Sequence, residues 1–245
     1  MRVLVMIPAY NEQDSILTVI KNLHDAQPGY DYIVINDCST DRTRQLLDES
    51  NARYISLPIN LGIGGGVQTG YKYALQEGYD IAVQMDGDGQ HDPAFLQTIV
   101  RPVMEGECDM CVGSRFLADG EFQTTFMRRF GINLLSFLIR IFGGVHIRDV
   151  TSGFRACNAD LIRLYSSQYA QDYPEPEAIM TALVEGYTVK EAGVHMHERM
   201  GGVSSIKPMH SAYYMIKVSL AVILCRLVSD RKKRKQNKQA KRGEG

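Results

Sequence analysis

The densest run of ligand chemistry in this 245-residue chain is Gln84-Met85-Asp86-Gly87-Asp88-Gly89-Gln90. Read as the end of an apolar strand, the segment points alternate residues the same way. Asp86, Asp88 and Gln90 are then expected to offer oxygens to one divalent cation. Hard oxygen ligands in so small a set suit Mg2+ or Mn2+, with water and substrate phosphates completing the shell. A calcium loop of EF-hand type would need Gly where His91 stands and Glu where Gln97 stands, which excludes it.

Two further polar segments close apolar runs. Pro8-Ala9-Tyr10-Asn11-Glu12 ends the first and Asn36-Asp37-Cys38-Ser39-Thr40-Asp41 the second. Together they could hold a nucleotide base and ribose, Asp37 accepting from base or sugar and Tyr10 supplying an apolar face. Asp37 could equally cap a helix over Thr40–Leu47. Asn60-Leu61-Gly62-Ile63-Gly64-Gly65-Gly66 precedes an expected helix over Val67–Leu75. Glycines opening a helix let backbone amides approach a phosphate, although no Lys-Ser/Thr follows and the dinucleotide spacing is absent. Cys108-x-x-Cys111 is half a zinc site without a second pair. His195 and His197 share a strand face with no nearby ligand partners, and His91 flanks the acidic motif without an assigned role.

The elements that must position these groups follow from the apolar pattern. Val3–Ile7, Tyr32–Ile35 and Ile81–Met85 are short apolar runs that read as buried parallel strands. Between them, Asp14–Leu23 places Ile16, Leu17, Val19, Ile20 and Leu23 on one helical face. Strand and helix alternate, so the first half reads as a βαβαβ sheet with right-handed crossovers, in which ligands bind beyond the carboxyl ends of the strands. Phe126–Phe142 and Tyr213–Val228 are apolar but interrupted by charges, and neither offers the roughly 20 apolar residues of a spanning helix.

Composition narrows the class. With 44% hydrophobic and 22% charged residues the chain reads as an ordinary globular protein, which excludes collagen-like, disordered and polytopic membrane classes. Five cysteines are an odd number spread over a long chain, so reduced thiols in a cytosolic compartment are expected, and the N-terminal apolar run is too short for a signal-peptide core. The net charge of −1 conceals an asymmetry: from Arg226 onward nine Lys/Arg stand against two acidic residues. A basic end on an acidic body suggests an anionic partner there. Tyr213-Tyr214 at one end of the last apolar segment and Arg231–Lys235 at the other fit a helix lying in a membrane interface.

Seven motifs in this order resemble family 2 glycosyltransferases, most of all the dolichol-phosphate mannosyltransferase-like and bacterial polyprenyl-phosphate group. They are Pro8–Glu12, Asp37–Asp41, Asn60-Leu61-Gly62, Asp86–Gln90, Gly113-Ser114-Arg115-Phe116, Asp149–Arg155 and Glu198–Ser205. The resemblance implies a GT-A fold of α/β class, a Rossmann-like, mostly parallel sheet flanked by helices, over residues 1–210. An amphipathic helix over 211–229 and a basic, disordered tail over 230–245 would follow. It also implies roles. Pro8, Tyr10, Glu12 and Asp37 would bind the nucleotide, Asp86, Asp88 and Gln90 the metal, and Arg199 with Ser204 the donor diphosphate. Arg115 and Arg129 resemble a pair that holds a lipid phosphate. Where the mannosyltransferase group often has Lys, this chain has Ser205. The Gln-x-x-Arg-Trp motif of processive synthases is missing, since the chain has no Trp.

The expectation is therefore an inverting transfer from a nucleotide-diphosphate sugar to a polyprenyl phosphate or other lipid-linked acceptor, at the cytoplasmic face of the cell membrane. Cation and Arg199 would offset charge on the leaving diphosphate. A phosphate acceptor arrives ionised, whereas a hydroxyl acceptor needs a carboxylate base, for which Asp149 and Glu177 are the candidates. An Asp-x-Asp phosphatase using Asp86 as nucleophile is the rival enzyme, although that type would hold Thr or Val at Gln90. A non-catalytic membrane adaptor is the rival of another class. No nucleic-acid partner is assigned, and a homo-oligomer is left open.

Overall fold

The computed structural model describes residues 1–117, 126–172, 174–200 and 217–227, with the backbone alone at 126–128. Alternation along its strands decides the layering. In β1 (Val3–Ala9), Leu4 and Met6 face one apolar layer while Val3, Val5, Ile7 and Ala9 face the other. β4 (Ile81–Gln84) repeats this, with Ala82 on the first side and Ile81 and Val83 on the second. Every residue of both strands is buried, as a sheet covered on both faces requires.

α1 (Ile16–Ala26), β2 (Asp31–Asn36), α2 (Thr43–Glu49), β3 (Tyr54–Ser56) and α3 (Gly62–Gln76) lie between those two strands in the chain. After β4 come a 3₁₀ turn at Pro93–Phe95, α4 (Leu96–Met104), β5 (Met110–Ser114) and α5 (Phe126–Gly143). β6 (Arg155–Asn158), α6 (Ala159–Ser167), α7 (Pro174–Glu185) and β7 (Val189–Gly193) follow, and residues 217–227 are helical. The seven strands are ordered β3-β2-β1-β4-β6-β5-β7. All neighbours are parallel except β6, which runs against both β4 and β5.

That reversal assembles one edge. The carboxyl ends of β1, β2 and β4 align, and Gln84, the last residue of β4, pairs with Arg155, the first of β6. Val112 pairs with Arg155 from the other side, and Ser114 pairs with Gly193. The segments that follow β1, β2, β4, β5 and β7 therefore leave the sheet at the edge where the loop before β6 enters it.

Several local expectations change. On α1 only Ile16, Val19 and Leu23 are buried, and Leu17 is exposed. Asp37 does not cap α2: Asp41 Oδ1 accepts from the Thr43 amide (2.9 Å), while Asp37 Oδ1 accepts from the Leu61 amide (2.7 Å). Gly64, Gly65 and Gly66 lie inside α3 rather than ahead of it. A Cβ on Gly64 would stand 2.1 Å from the Ala170 carbonyl oxygen, so this glycine permits close packing and presents no amide cradle. All five cysteines are free, and no group of three His, Cys, Asp or Glu ligands forms among the described residues, so the zinc reading of Cys108 and Cys111 falls.

Candidate active site

Asp86 and Asp88 come together through a turn, not along an extended strand. β4 stops at Gln84, and Gly89 takes φ +79°, a left-handed conformation that glycine adopts without strain. The loop closes on itself when the Gln90 amide donates to Asp88 Oδ1 at 3.0 Å. What Gln90 visibly contributes is backbone, since its carbonyl also accepts from the His197 amide at 2.8 Å. Gln84 Nε2 donates to Asp86 Oδ1 at 3.1 Å. His91 is buried, stacked on Phe154 with centroids 4.9 Å apart, and its Nδ1 accepts from the Asp86 amide at 3.0 Å. A neutral ring then carries its proton on Nε2, 3.9 Å from Asp86 Oδ2.

The segment after β7 forms the far wall. The Met200 amide donates to the Asp88 carbonyl at 3.1 Å, which lays Arg199 across the loop. Arg199 Nη2 meets Glu12 Oε1 at 2.5 Å and its Nε stands 3.7 Å from Asp88 Oδ2. Glu12 is buried after β1, where the Ser15 hydroxyl shares its one proton between Glu12 Oε2 (3.0 Å) and the Gly87 carbonyl (2.7 Å). Burial raises the Glu12 carboxyl above its ordinary value against the opposing pull of Arg199. Burial, then the Asp86 charge, raises Asp88 in the same direction. Asp37 is likewise raised by burial, opposed by the amides of Leu61 and Gly62. Pro8 is the penultimate residue of β1, its carbonyl accepting from the Gly87 amide, and Tyr10, just past the strand, is exposed.

These residues fit a divalent cation. Two carboxylates held beside one another raise each other's cost of ionisation, and a cation between them removes it. Gly153 leaves the space open: a Cβ there would lie 2.9 Å from Asp86 Oδ2. With only two carboxylates from the protein, the donor set is that of an ion sharing its shell with water and phosphate oxygens.

Across β6 lies a cationic side. Arg115 follows β5 and is almost wholly buried, donating from Nε to Asp149 Oδ2 (2.7 Å) and from Nη2 to Asp149 Oδ1 (2.6 Å). Asp149 is 0% exposed and also accepts from the Arg115 amide, so both of its oxygens are engaged by one residue. This corrects the general-base expectation for Asp149, because a fully buried carboxylate with both oxygens taken up by one guanidinium cannot reach an acceptor proton. Its work is to fix Arg115. Arg129 lies over the Phe116 ring (4.1 Å to the centroid), and Arg115 lies 5.7 Å from the same centroid, so Phe116 spaces the two cations. Ser204 lies outside the described residues, as does Ser205.

Three residues of this edge carried no expectation. Arg155 is 0% exposed, donating to the carbonyls of Ser152 (2.5 Å) and Glu175 (3.2 Å). Gln84 is the residue paired with it. Glu175, at the start of α7, has its carboxyl raised by burial, against the opposing charge of Arg155, and its backbone carbonyl accepts from Arg155. A charge inside the strand-like Phe154–Cys157 run was the available signal for Arg155. Glu177, the other candidate base, is half-buried on the wall of a separate polar cleft with Gln68 and Thr181.

The Glycosyl transferase family 2 profile matches residues 4–165, two thirds of the chain. The chain belongs to this family. Among curated relatives, the glycosyltransferase is 35% identical over 169 residues to an undecaprenyl-phosphate mannosyltransferase of Micrococcus luteus, covering 66% of this chain and 69% of that one. It is 28% identical over 228 residues to a polyprenol monophosphomannose synthase of Mycolicibacterium smegmatis, covering 89% and 86%. A UDP-N-acetylglucosamine–dolichyl-phosphate N-acetylglucosaminyltransferase of Methanococcus voltae is 33% identical over 183 residues, covering 67% and 72%. In fold, the glycosyltransferase is similar to glucosyl-3-phosphoglycerate synthase of Mycobacterium tuberculosis, crystallised with Mn2+, UDP and phosphoglyceric acid. The TM-score is 0.67 at 23% identity, over 92% of this chain and 78% of that one.

Proposed function

We propose that this glycosyltransferase moves a sugar, with inversion, from a nucleotide-diphosphate sugar to a polyprenyl phosphate at the inner face of the cell membrane. The observation that carries the reading is the placement of Arg115 and Arg129 about Phe116, across β6 from the carboxylate loop. Negative acceptor and negative donor thereby get separate cationic partners. The three relatives' names share a lipid-phosphate acceptor while differing in the sugar moved, so they support the acceptor class and leave the donor sugar open.

In this reading Asp37 and Tyr10 hold the base and ribose, and Asp86 and Asp88 hold Mg2+ or Mn2+. When bound, the cation supplies positive charge to the leaving diphosphate. Arg199, already laid across Asp88, turns its guanidinium to the same oxygens, and the contact strengthens as charge develops there. Arg129 orients the acceptor phosphate, which is already ionised and needs no base. Asp149 keeps Arg115 pointed at it. A hydroxyl acceptor is the second reading, favoured by Glu175, whose carboxyl is raised by burial and whose backbone is held by Arg155 at the sheet edge.

Apolar surface supports the membrane location. On α5, Phe130, Phe137 and Ile141 are more than half exposed and fall on one helical stripe, with the exposed Arg129 and Arg140 along its flank. Leu220, Leu224 and Leu227 form a matching stripe on the helix at 217–227, ahead of the basic run Arg231–Lys235. No helix among the described residues is long and apolar enough to cross a membrane.

The test screens UDP-, GDP- and dTDP-sugars for Mn2+-dependent thermal stabilisation, then follows labelled sugar into polyprenyl phosphate. Arg129→Ala is expected to raise the acceptor KM about tenfold while sparing donor affinity. Release of inorganic phosphate without sugar transfer would replace this reading with the phosphatase.

A further inference from the structure

Among the described residues, five buried side-chain polar atoms have no hydrogen-bond partner: Gln84 Oε1, Ser114 Oγ, Arg155 Nε, Tyr169 OH and Ser219 Oγ. Four of them lie on one side of the sheet. Gln84 and Arg155 are direct cross-strand partners, and Arg155 also pairs with Val112, two residues before Ser114. Alternation sets their side chains on one face of the sheet, because Ala82, Cys157, Met110 and Val112 all feed the same apolar layer. Tyr169 belongs to that layer, packed against Tyr71 and Tyr165 with centroids 5.5 and 5.3 Å away. A stranded donor on Arg155 and a stranded acceptor on Gln84 therefore stand side by side at the strand end that leads to Asp86, with the Ser114 and Tyr169 hydroxyls on the same side of the sheet.

Stranding one buried polar atom is costly, and a complementary donor and acceptor stranded side by side are what a small polar chamber holding water presents. We propose that this chamber holds ordered water accepting from Arg155 Nε–H and donating to Gln84 Oε1, and that Gln84 and Arg155 are positioning residues for Asp86. The inference rests on the metal-binding reading of Asp86. The chain of contacts runs one way. Arg155, anchored by the Ser152 and Glu175 carbonyls, fixes the water, and the water fixes the Gln84 amide plane. That plane sends Nε2 to Asp86 Oδ1 at 3.1 Å, which leaves Oδ2 turned toward the space that Gly153 keeps open. An amide free to flip would present Oε1 to the carboxylate instead, repelling it.

Mn2+ binding to the full-length protein, read by electron paramagnetic resonance with the metal alone, tests the proposal without turnover. Gln84→Leu keeps the volume and removes both polar atoms. It is expected to weaken Mn2+ binding about tenfold, the scale of one hydrogen bond to a charged group. At saturating metal the turnover number should then recover to within about threefold. Unchanged Mn2+ affinity in Gln84→Leu overturns the positioning role, whereas wild-type protein that binds no Mn2+ overturns the metal reading beneath it. Should Gln84→Leu fail to fold, a crystal structure of the wild-type protein decides. Water bonded to both Gln84 Oε1 and Arg155 Nε supports the chamber, and a dry contact between those atoms overturns it.

Discussion

Asp88 keeps a charge where its surroundings resist one. Burial and the neighbouring Asp86 raise its carboxyl above the ordinary value of 3.8. A raised acid lends the fold its full stability below the ordinary value and loses it as pH rises through the raised one. Ionised Asp88 is thus a stability cost at neutral pH. Asp88→Asn should melt at the same temperature as the metal-free wild type or above it at pH 7, and lose that advantage in acid. Turnover should fall by more than tenfold, about 1.4 kcal/mol or more in the barrier, and calorimetry beside a transfer assay checks both. Asp149 calls for a different experiment. Asp149→Asn leaves Arg115 one partner atom short, so the acceptor KM should rise at least tenfold while the acid limb of the pH–rate profile stays where it was. Loss of that limb would restore Asp149 as the base. Asp86, Asp88, Asp37 and Glu12 were legible in sequence because short oxygen-bearing side chains directly after apolar runs fall at strand ends whatever the sheet order. Gln84 and Arg155 were not, since their burial depends on β6 inserting antiparallel between β4 and β5, and Glu175 meets this edge only because Arg155 reaches its carbonyl.

Elements were legible in proportion to their apolar continuity. β1, β2 and β4 announced themselves as runs of Val, Ile, Leu and Met. β3 is three half-buried residues, and β6 reads Arg-Ala-Cys-Asn, so neither carries a pattern. The glycine-rich start of α3 misled for a physical reason: glycine in sequence signals freedom, but here it signals lack of room. A Cβ on Gly64 would stand 2.1 and 2.4 Å from the Ala170 and Gln171 carbonyl oxygens, whereas one on Gly66 would meet nothing nearer than Pro8 Cβ at 3.9 Å. The two positions should therefore respond oppositely to the same change. Gly66→Ala gains helix propensity and should stabilise by about 0.5 to 1 kcal/mol. Gly64→Ala must push two backbone carbonyls away and should destabilise by about 1 to 3 kcal/mol. Denaturant melts of the two variants, compared at constant slope, separate the outcomes.

At the scale of the molecule, one sheet edge gathers the segments that follow β1, β2, β4 and β5 while apolar surface is left over elsewhere, on α5 and the helix at 217–227. α5 joins the two, because Arg129 near its start lies against Phe116 and the stripe of Phe130, Phe137 and Ile141 runs on from there. A lipid phosphate gripped at Arg129 would thus have its chain beside an apolar face. The sequence marked Tyr213–Val228 as an interfacial segment, of which 217–227 are described and helical. It gave no such sign for α5, whose buried and exposed apolar residues are indistinguishable until the core takes one face. Attachment should then be peripheral and have two parts, apolar insertion and attraction of the basic tail at about 1 kcal/mol per Lys or Arg near an anionic surface. Full-length protein should sediment with vesicles containing phosphatidylglycerol at low salt. Raising the salt should release part of it, as the electrostatic part is screened over about 8 to 10 Å. Phe137→Glu combined with Leu224→Glu alters two exposed positions outside the sheet edge. It should release most of the protein at either salt, with donor-induced thermal stabilisation unchanged. Wild-type protein that stays in the supernatant at low salt would make these stripes a packing surface for another protein, and the double variant would then change its oligomeric state rather than its sedimentation.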